Sequence, residues 1–309
     1  MRKYQKRKKG KSTKWILVLL IAFCVIWKLL IPYVRYTQRQ DMPIPYLINS
    51  NSISFSEEEI NSRNAVLIQY ENEEILLEKN ADELIYPASM TKIMTVIVAL
   101  EELPITDKRF MVSQESYDKM QQAGASMAGF RVGEWVKGID LMYGALISSG
   151  GECCLTLAEG ISGSEEEFVK LMNKKALEIG MMNTNFVNCT GLHDEQHYST
   201  AKDIALLLAY ALQDSSFRDI FTSHSHHTSL LDNKQPGGVT LTSTLFNYKY
   251  DTSLANGKIL GGKTGYTDHA GYCLASLAEI SGKEYILVTA QAWNDGEHVK
   301  DAVNIYNRL

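Results

Sequence analysis

Three short stretches of the chain carry residue types that could perform nucleophilic acyl transfer. Ser89 and Lys92 are three residues apart, so on a helix the amine of the lysine can reach the hydroxyl of the serine. A lysine that takes the proton of a serine turns that serine into a nucleophile, and Ser-x-x-Lys is the usual spacing of such a pair. The other two stretches are Ser149-Gly150-Gly151 and Lys263-Thr264-Gly265.

The Ser-x-x-Lys spacing occurs three times, and only the surrounding sequence separates the copies. Ser116/Lys119 lies in a polar stretch that predicts a solvated helix face. Ser199/Lys202 opens a helix whose first N–H groups Ser199 or Thr200 would cap. Residues 93–100 are almost entirely apolar, which is typical of a buried helix. A lysine at the start of a buried helix needs a hydrogen-bonding partner or a catalytic role. Ser89, three residues before Lys92, is therefore the candidate nucleophile.

The elements that must position these residues follow from the apolar patterns along the chain. The patterns predict a strand hairpin over 65–77, helices after Pro87, over 139–147, from 152, over 164–180, over 200–212 and from 297, and strands over 271–277 and 285–290. Residues 214–259 read as polar loops. Strands near both ends with helices between them predict an α/β (α+β) fold, in which one antiparallel sheet is covered by helices.

The charges are divided unevenly along the chain. The net charge is −5, from 31 Lys+Arg and 36 Asp+Glu. Residues 1–14 hold eight of the basic residues and no acid, which leaves 23 basic against 36 acidic residues, or −13, for the remainder. The strong negative charge of this remainder argues against nucleic acid as a partner.

An apolar run follows this basic tip. It is uninterrupted from Trp15 to Trp27 and extends to Ile31, which reaches the lower limit for a membrane-spanning helix. No small residues suited to a signal peptidase follow, and the basic tip favours a body outside the cytoplasm. The sequence predicts a basic cytoplasmic tip at 1–14, an uncleaved anchor at 15–31, a stalk at 32–57 and a catalytic domain at 58–309, with a cleaved signal peptide as the alternative.

Together the three motifs resemble those of the D-alanyl-D-alanine carboxypeptidases, the serine DD-peptidases among the low-molecular-mass penicillin-binding proteins. The resemblance covers roughly residues 58–292 and extends beyond the motifs to Tyr86-Pro87-Ala88, Phe168-Val169, Met172-Asn173, Gly180-Met181, Gly191-Leu192, Ser199-Thr200-Ala201 and Ala270-Gly271-Tyr272. It implies the serine DD-peptidase/β-lactamase-like fold, an antiparallel sheet flanked by helices with a helical subdomain that carries the nucleophile.

The resemblance also implies a role for each motif. Ser89 would attack the carbonyl between two terminal D-alanines, Lys92 would accept its proton, and Ser149 would relay a proton to the leaving amine. Burial, and the nearby charge of Lys263, would lower the pKa of Lys92 as a base requires. The oxyanion hole would be formed by the backbone N–H groups of Ser89 and Tyr266. The substrate-binding stretch would be Lys263, Thr264, Gly265 and Tyr266, with no cofactor and no metal.

The implied partners follow from this reaction. They are a peptidoglycan stem peptide ending in D-Ala-D-Ala, β-lactams as covalent inhibitors, and the bacterial cell membrane, with the catalytic domain outside the cytoplasm. Two biological roles remain open. One is the general trimming of cross-linking stem peptides, and the other is the removal of the precursors that glycopeptide antibiotics bind, which is a resistance role.

Two positions depart from the family pattern. Position 151 is glycine where the family usually has asparagine, and residues 291–300 lack the arginine that often helps to bind the carboxylate. The missing contact predicts a slow or unusually selective carboxypeptidase whose substrate supplies part of that contact. Gly151→Asn is therefore expected to raise kcat/KM on a minimal acyl-D-Ala-D-Ala peptide by about tenfold to a hundredfold. If the loop is built around glycine, the same substitution lowers it.

Three other functions share some of these features. A β-lactamase would need a deacylating glutamate, but Ser164 and Glu165-Glu166-Glu167 are explained as a capping box. A β-lactam sensor would stay acylated at the same serine. A zinc peptidase could use His193 to His197 or His224 to His227, which we interpret instead as solvated histidines in loops. The five cysteines have no metal-binding or disulfide spacing and are expected to be small buried residues.

Overall fold

The computed structural model describes residues 39, 42–50, 52–53, 59–104, 106–228, 234–247 and 249–309. The predicted basic tip at 1–14 and the predicted anchor at 15–31 lie outside these ranges. Within them, no helix has the length and apolar character needed to cross a membrane.

One mainly antiparallel sheet joins the two ends of the described chain. The bounds of its strands are β1 Ile48–Asn49, β2 Asn64–Gln69, β3 Glu74–Lys79, β10 Gly257–Thr267, β11 Gly271–Ile280 and β12 Lys283–Ala292. These six strands lie in the order β1-β3-β2-β12-β11-β10, and among them only β1 pairs in parallel. The shorter strands are β4 Leu84–Ile85, β5 Arg109–Met111, β6 Trp135–Lys137, β7 Ser199–Thr200, β8 Ser225–His227 and β9 Thr240–Thr242. The predicted antiparallel sheet is therefore confirmed.

Strand β10 was not predicted, because residues up to 259 read as loop and Lys263-Thr264-Gly265 was placed just before a strand. The structure puts this triplet inside an eleven-residue strand. Its glycines lower the strand propensity that the sequence conveys. They are needed for close approach: a Cβ at Gly261 would lie 2.4 Å from the carbonyl oxygen of Phe221, and one at Gly265 would lie 3.2 Å from the backbone nitrogen of Ser89.

The helices pack around the one that follows Ser89. Their bounds are α1 Thr91–Glu102, α2 Gln114–Gln122, α3 Gly138–Leu146, α4 Gly151–Ser162, α5 Glu165–Glu178, α6 Ala201–Ala211, α7 Ser215–Phe221 and α8 Glu297–Tyr306. Helix α1 is buried along nearly its whole length and contacts α3, α4, α5, α6 and α7. The central buried helix predicted from the sequence is thus present.

The sheet separates two apolar clusters. On strand β2, Val66 and Ile68 face the cluster shared with the helices around α1, whereas Ala65 and Leu67 face the cluster shared with α8. Side chains alternate between the two faces of a strand, so a strand buried on both faces is apolar at every position. This explains why the β2 sequence is continuously apolar instead of alternating.

Part of the predicted stalk is packed on the domain. Arg39 is buried, forms an ion pair with Asp214, and donates to the carbonyl oxygen of Leu100 at 2.8 Å. Strand β1, within the same stretch, pairs with β3. Arg39 and strand β1 therefore contact the folded body, although both lie within the predicted stalk at 32–57.

Candidate active site

Ser89 lies on a strained turn at the start of the buried helix. Residues Ala88–Met90 form a short 3-10 helix that leads directly into α1. Ala88 has a φ of +47°, a left-handed conformation that costs an L-residue about 1–3 kcal/mol. Lys92 Nζ lies 2.9 Å from Ser89 Oγ and also donates to the carbonyl oxygen of Thr190 at 2.6 Å. The amine is therefore held within proton-transfer distance of the hydroxyl.

Backbone atoms of two other segments lie close to this turn. Gly191 has a φ of +83°, and a Cβ there would lie 1.9 Å from the carbonyl oxygen of Ala88. A Cβ at Gly265 would lie 3.2 Å from the backbone nitrogen of Ser89. A side chain at Gly191 would displace the serine, so this glycine is required for close approach as well as for its φ.

Ser149 and Lys263 complete the group of polar side chains. Ser149 lies between α3 and α4 with a φ of +63°, and only 5% of its surface is exposed. Lys263 Nζ donates to Ser149 Oγ at 3.0 Å and to its neighbour's carbonyl, Thr264 O, at 2.7 Å. The structure thus brings together all three stretches singled out in the sequence.

The two lysines are buried, and this changes their acidity. Burial lowers the pKa of Lys92 from its ordinary value, against the opposing influence of nearby thiols and Glu152. Burial lowers the pKa of Lys263 well below its ordinary value, and repulsion from the charge of Lys92 adds to this effect. For Lys92, the lowered pKa increases the fraction of neutral amine, which is the form that can accept a proton from Ser89.

The space beside Gly151 is occupied by another residue. Gly151 is the first residue of α4, and its N–H donates to the carbonyl oxygen of Ser126 at 2.8 Å. A Cβ at this position would lie 2.6 Å from the sulfur of Met120, which is fully buried. The loop is therefore packed around glycine.

Glu152 does not replace the missing asparagine. Its Oε1 accepts hydrogen bonds from the backbone N–H groups of Ala128 and Gly129, at 2.7 and 3.0 Å, and it does not line the cleft. Oε2 is buried without a hydrogen-bond partner among the described residues. Burial raises the pKa of this carboxyl group. Its role is to hold the loop that forms one wall of the cleft.

The motifs open into a cleft of about 600 Å³. One end is lined by the loop 123–126, and the floor by Ser89, Lys92 and Ser149. Thr244 lies beside Thr264, with 2.7 Å between their Oγ1 atoms. Asp295 and Lys249 also line the cleft and form an ion pair with each other.

The prediction that these histidines are solvated is wrong for His197. It is 2% exposed, accepts from the N–H of Val187 at 3.2 Å, and lies 2.8 Å from the Oγ1 of Thr91. Burial lowers its pKa to about 4. His226 is also held, by Asp140. In the described part of the chain, no group of three or more potential ligands could hold a metal ion, so the zinc alternative finds no site there.

Two further interpretations of small residues can be compared with the structure. Ser116 is not on a solvated face: it is 1% exposed and bonded to Glu159. Thr200 caps α6 by accepting from the N–H of Asp203 at 3.0 Å, as predicted, and Ser164 caps α5. The cysteines within the described ranges, Cys153, Cys154, Cys189 and Cys273, are buried and unpaired as expected, and Cys24 lies outside.

Sequence reasoning missed several residues at the site. Thr190 contributes only a backbone carbonyl, and Met120 only bulk, so neither has a side-chain chemistry that a motif search could detect. Thr244 lies in the region that read as loop. His197 did offer a signal, because it is a histidine in a stretch whose other residues the family pattern explains. Its partner Thr91 is distant in the chain, so the sequence did not show their contact.

Comparisons of the sequence with known proteins point to one family. A family model described as D-alanyl-D-alanine carboxypeptidase matches residues 51–294. The D-alanyl-D-alanine carboxypeptidase DacF of Bacillus subtilis is 36% identical over 231 residues, 74% of this chain and 56% of the relative. The D-alanyl-D-alanine carboxypeptidase DacC of Escherichia coli is 31% identical over 244 residues, 76% of this chain and 58% of the relative. This chain thus spans somewhat more than half the length of these relatives.

A solved structure supports the fold. A mutant of a Streptomyces DD-transpeptidase is 25% identical and superposes with a TM-score of 0.73, covering 80% of this chain and 97% of that one. The fold expected from the resemblance is therefore confirmed.

Proposed function

The chain belongs to the D-alanyl-D-alanine carboxypeptidase family, and we propose that it is a serine-type D-Ala-D-Ala carboxypeptidase acting on peptidoglycan stem peptides. The observation that carries the proposal is the pair of hydrogen bonds at the cleft floor. Lys92 is bonded to Ser89 at 2.9 Å, and Lys263 to Ser149 at 3.0 Å. The reaction removes the terminal D-alanine through an acyl-enzyme on Ser89.

Acylation uses these groups in order. Ser89 Oγ attacks the carbonyl carbon of the penultimate D-alanine while its proton moves to the neutral amine of Lys92. The backbone N–H groups of Ser89 and Tyr266 stabilise the oxyanion. The C–N bond then breaks, and the proton passes through Ser149 to the leaving nitrogen, which departs as D-alanine.

Lys263 and Thr264 hold the substrate's terminal carboxylate during this step, and Gly265 lets the strand lie close to Ser89. Deacylation reverses the proton movements. Water attacks the ester carbonyl, gives a proton to Lys92, and the ester C–O bond breaks as Ser89 regains its hydrogen. A β-lactam acylates the same serine and blocks it.

The proposed location is the outer face of the bacterial cell membrane, with the chain anchored by residues 15–31. The basic residues before Trp15 and the apolar run that follows support this orientation. N-terminal sequencing of the protein isolated from membranes tests it. A mature chain that begins beyond Ile31 would overturn the anchor.

Release of D-alanine from an acyl-L-Lys-D-Ala-D-Ala peptide tests the activity, together with labelling by a tagged penicillin. We expect both in the wild type and neither in Ser89→Ala, while Ser199→Ala, the matched serine of another Ser-x-x-Lys stretch, keeps both. A chelator should have no effect. Labelling that persists in Ser89→Ala would exclude this mechanism.

A further inference from the structure

Three aromatic rings meet at the wall of the cleft, and we call them the ring cluster. His193 and His269 stack face to face, with 3.7 Å between their ring centroids and 4° between their planes. Tyr86 places its edge against His193, with a centroid distance of 4.6 Å, and its centroid lies 6.4 Å from that of His269. Both histidines line the cleft. The cluster therefore borders the site, although its rings come from three separate segments of the chain.

Two of these segments hold groups that the proposed reaction uses. Tyr86 lies three residues before Ser89. His193 lies three residues after Thr190, whose carbonyl oxygen accepts a hydrogen bond from Lys92 Nζ at 2.6 Å. A shift of the segment that carries His193 would therefore change the environment of the catalytic amine.

The third segment is the turn between β10 and β11, which carries His269. The N–H of Ala270 donates to the carbonyl oxygen of Thr267 at 3.1 Å and to its Oγ1 at 3.0 Å. These bonds fix the turn to Thr267, the last residue of β10. A displacement of the turn is thus passed to the strand that carries Lys263 and Tyr266.

The stack of His193 on His269 links the segments 190–195 and 266–270 directly. Among the residues that the structure describes, no hydrogen bond and no ion pair joins these two segments. Contacts between aromatic rings stabilise beyond the area that they bury. Without the stack, each segment would keep its internal bonds but lose this contact with the other.

Acid should weaken the stack, because histidine is the side chain that ordinarily changes its charge between pH 5 and pH 8. Two protonated rings would place like charges at the 3.7 Å separation of the centroids, where they repel. Asp194 and Asp268 follow and precede the two rings in sequence and favour the first proton. Both already accept hydrogen bonds, from the N–H of Gln196 and the phenol of Tyr266. The other titratable groups near the pair are Tyr86, Glu195, His197 and, at the cleft floor, Lys92.

We propose that His193 and His269 are positioning residues for the reaction at Ser89. Their stack holds the segment of Thr190 and the strand β10 in place around the nucleophile, and it comes apart when both rings are protonated. Neither ring needs to touch the substrate for this role. The inference rests on the proposed acyl transfer at Ser89 and adds to it a dependence on acid that comes from outside the catalytic groups.

The test is the rate constant for acylation by a tagged penicillin, measured from pH 5.5 to pH 8. His269→Ala removes the stack, and we expect it to slow acylation at pH 8 by about two- to tenfold, the usual contribution of an aromatic pair. His269→Phe keeps a flat ring that cannot become charged, so it should recover the wild-type rate at pH 8. At pH 5.5 it should acylate about threefold faster than the wild type, because its stack is not repelled. The ratio of variant to wild type cancels the pH dependence of Ser89 and Lys92, which all the proteins share.

A matched substitution separates this effect from a general effect of phenylalanine. His227→Phe, at an exposed histidine on β8 outside the cleft, should follow the wild type at every pH. A wild-type rate in His269→Ala, or a loss that His269→Phe does not recover, would show that the stack does not position the site. An equal ratio of His269→Phe to wild type at pH 5.5 and pH 8 would overturn the dependence on acid. These results would leave the carboxypeptidase function intact, whereas absence of D-alanine release and of penicillin labelling in the wild type would overturn both.

Discussion

The packing around Gly151 favours the second of the two expectations drawn for this position, that the loop is built around glycine. A Cβ would lie 2.6 Å from the sulfur of the buried Met120, closer than packed atoms approach. The space beside position 151 is thus filled by Met120 and is not an empty ligand position. We predict that Gly151→Asn destabilises the protein by about 1–3 kcal/mol, the usual cost of overpacking. Its kcat/KM should fall on short and full-length stem peptides alike, as measured by D-alanine release.

A second substitution tests the physical reason. Met120→Ala removes the side chain that collides, so Gly151→Asn combined with Met120→Ala should recover stability and activity relative to Gly151→Asn alone. Urea denaturation of the four proteins completes a double-mutant cycle. Purely additive losses would mean that the two positions do not compete for the same space.

The residues that could be predicted from the sequence are those whose chemistry depends on their own side chains. Ser89, Lys92 and Lys263 belong to short motifs, so their types and spacing identify them. Thr190 acts through its carbonyl oxygen and His197 through a bond to Thr91, which lies 106 positions away along the chain. Such contacts depend on how distant segments pack, and no local pattern records them.

At the scale of elements, the hairpin of β8 and β9 supports the Ser149 loop from outside. Asp140 on α3 is 3% exposed, and its Oδ1 lies 2.7 Å from Nε2 of His226 on β8. The ring of His226 stacks on Tyr143 with 3.8 Å between centroids. The N–H of Thr242, at the end of β9, donates to Ser148 Oγ at 3.1 Å. The hairpin is therefore fixed both to α3 and to the residue before Ser149.

The position of this hairpin should affect the reaction because the chain just after β9 contacts the substrate-binding strand β10. Two residues after β9, Thr244 donates its N–H to the carbonyl oxygen of Ile147 and contacts Thr264. We predict that His226→Ala, which leaves the buried Asp140 without its partner, slows penicillin acylation by about tenfold. His226→Gln, which can still donate to Asp140, should recover most of the rate. His227→Ala, on the exposed side of β8, serves as control. Equal rates in His226→Ala and the control would show that the hairpin does not position the site.

The elements also show where sequence patterns are sufficient. The continuous apolar stretches of β2, β11 and β12 and the burial of α1 were evident from composition, since hydrophobic burial dominates those segments. Strand β10 was missed because four of its eleven residues are glycine. Its place in the sheet comes from pairing with β11 along nearly its full length, a non-local interaction that outweighs weak local propensity.

At the scale of the whole molecule, two buried histidines link the stability of the fold to acid. His197 lies in the helical body. His298, on α8, lines the cleft, is 1% exposed and has an Nδ1 without a partner among the described residues. Burial lowers the pKa of each to about 4. The unfolded chain takes up these protons near pH 6.5, whereas the folded chain resists protonation until about pH 4. Unfolding therefore gains protons in this window, and stability falls as the pH decreases through it.

His197 permits a direct test of this linkage. Since the N–H of Val187 donates to its Nδ1, the neutral ring carries its hydrogen on Nε2 and donates to Thr91, and protonation would disrupt the first bond. We predict that His197 alone costs the wild type about 2 kcal/mol of unfolding free energy between pH 7 and pH 5. His197→Gln has no titrating ring, so its loss over the same interval should be smaller by that amount in urea denaturation. The exposed His227→Gln should lose as much as the wild type. An undiminished loss in His197→Gln would mean that the acid sensitivity arises elsewhere in the fold.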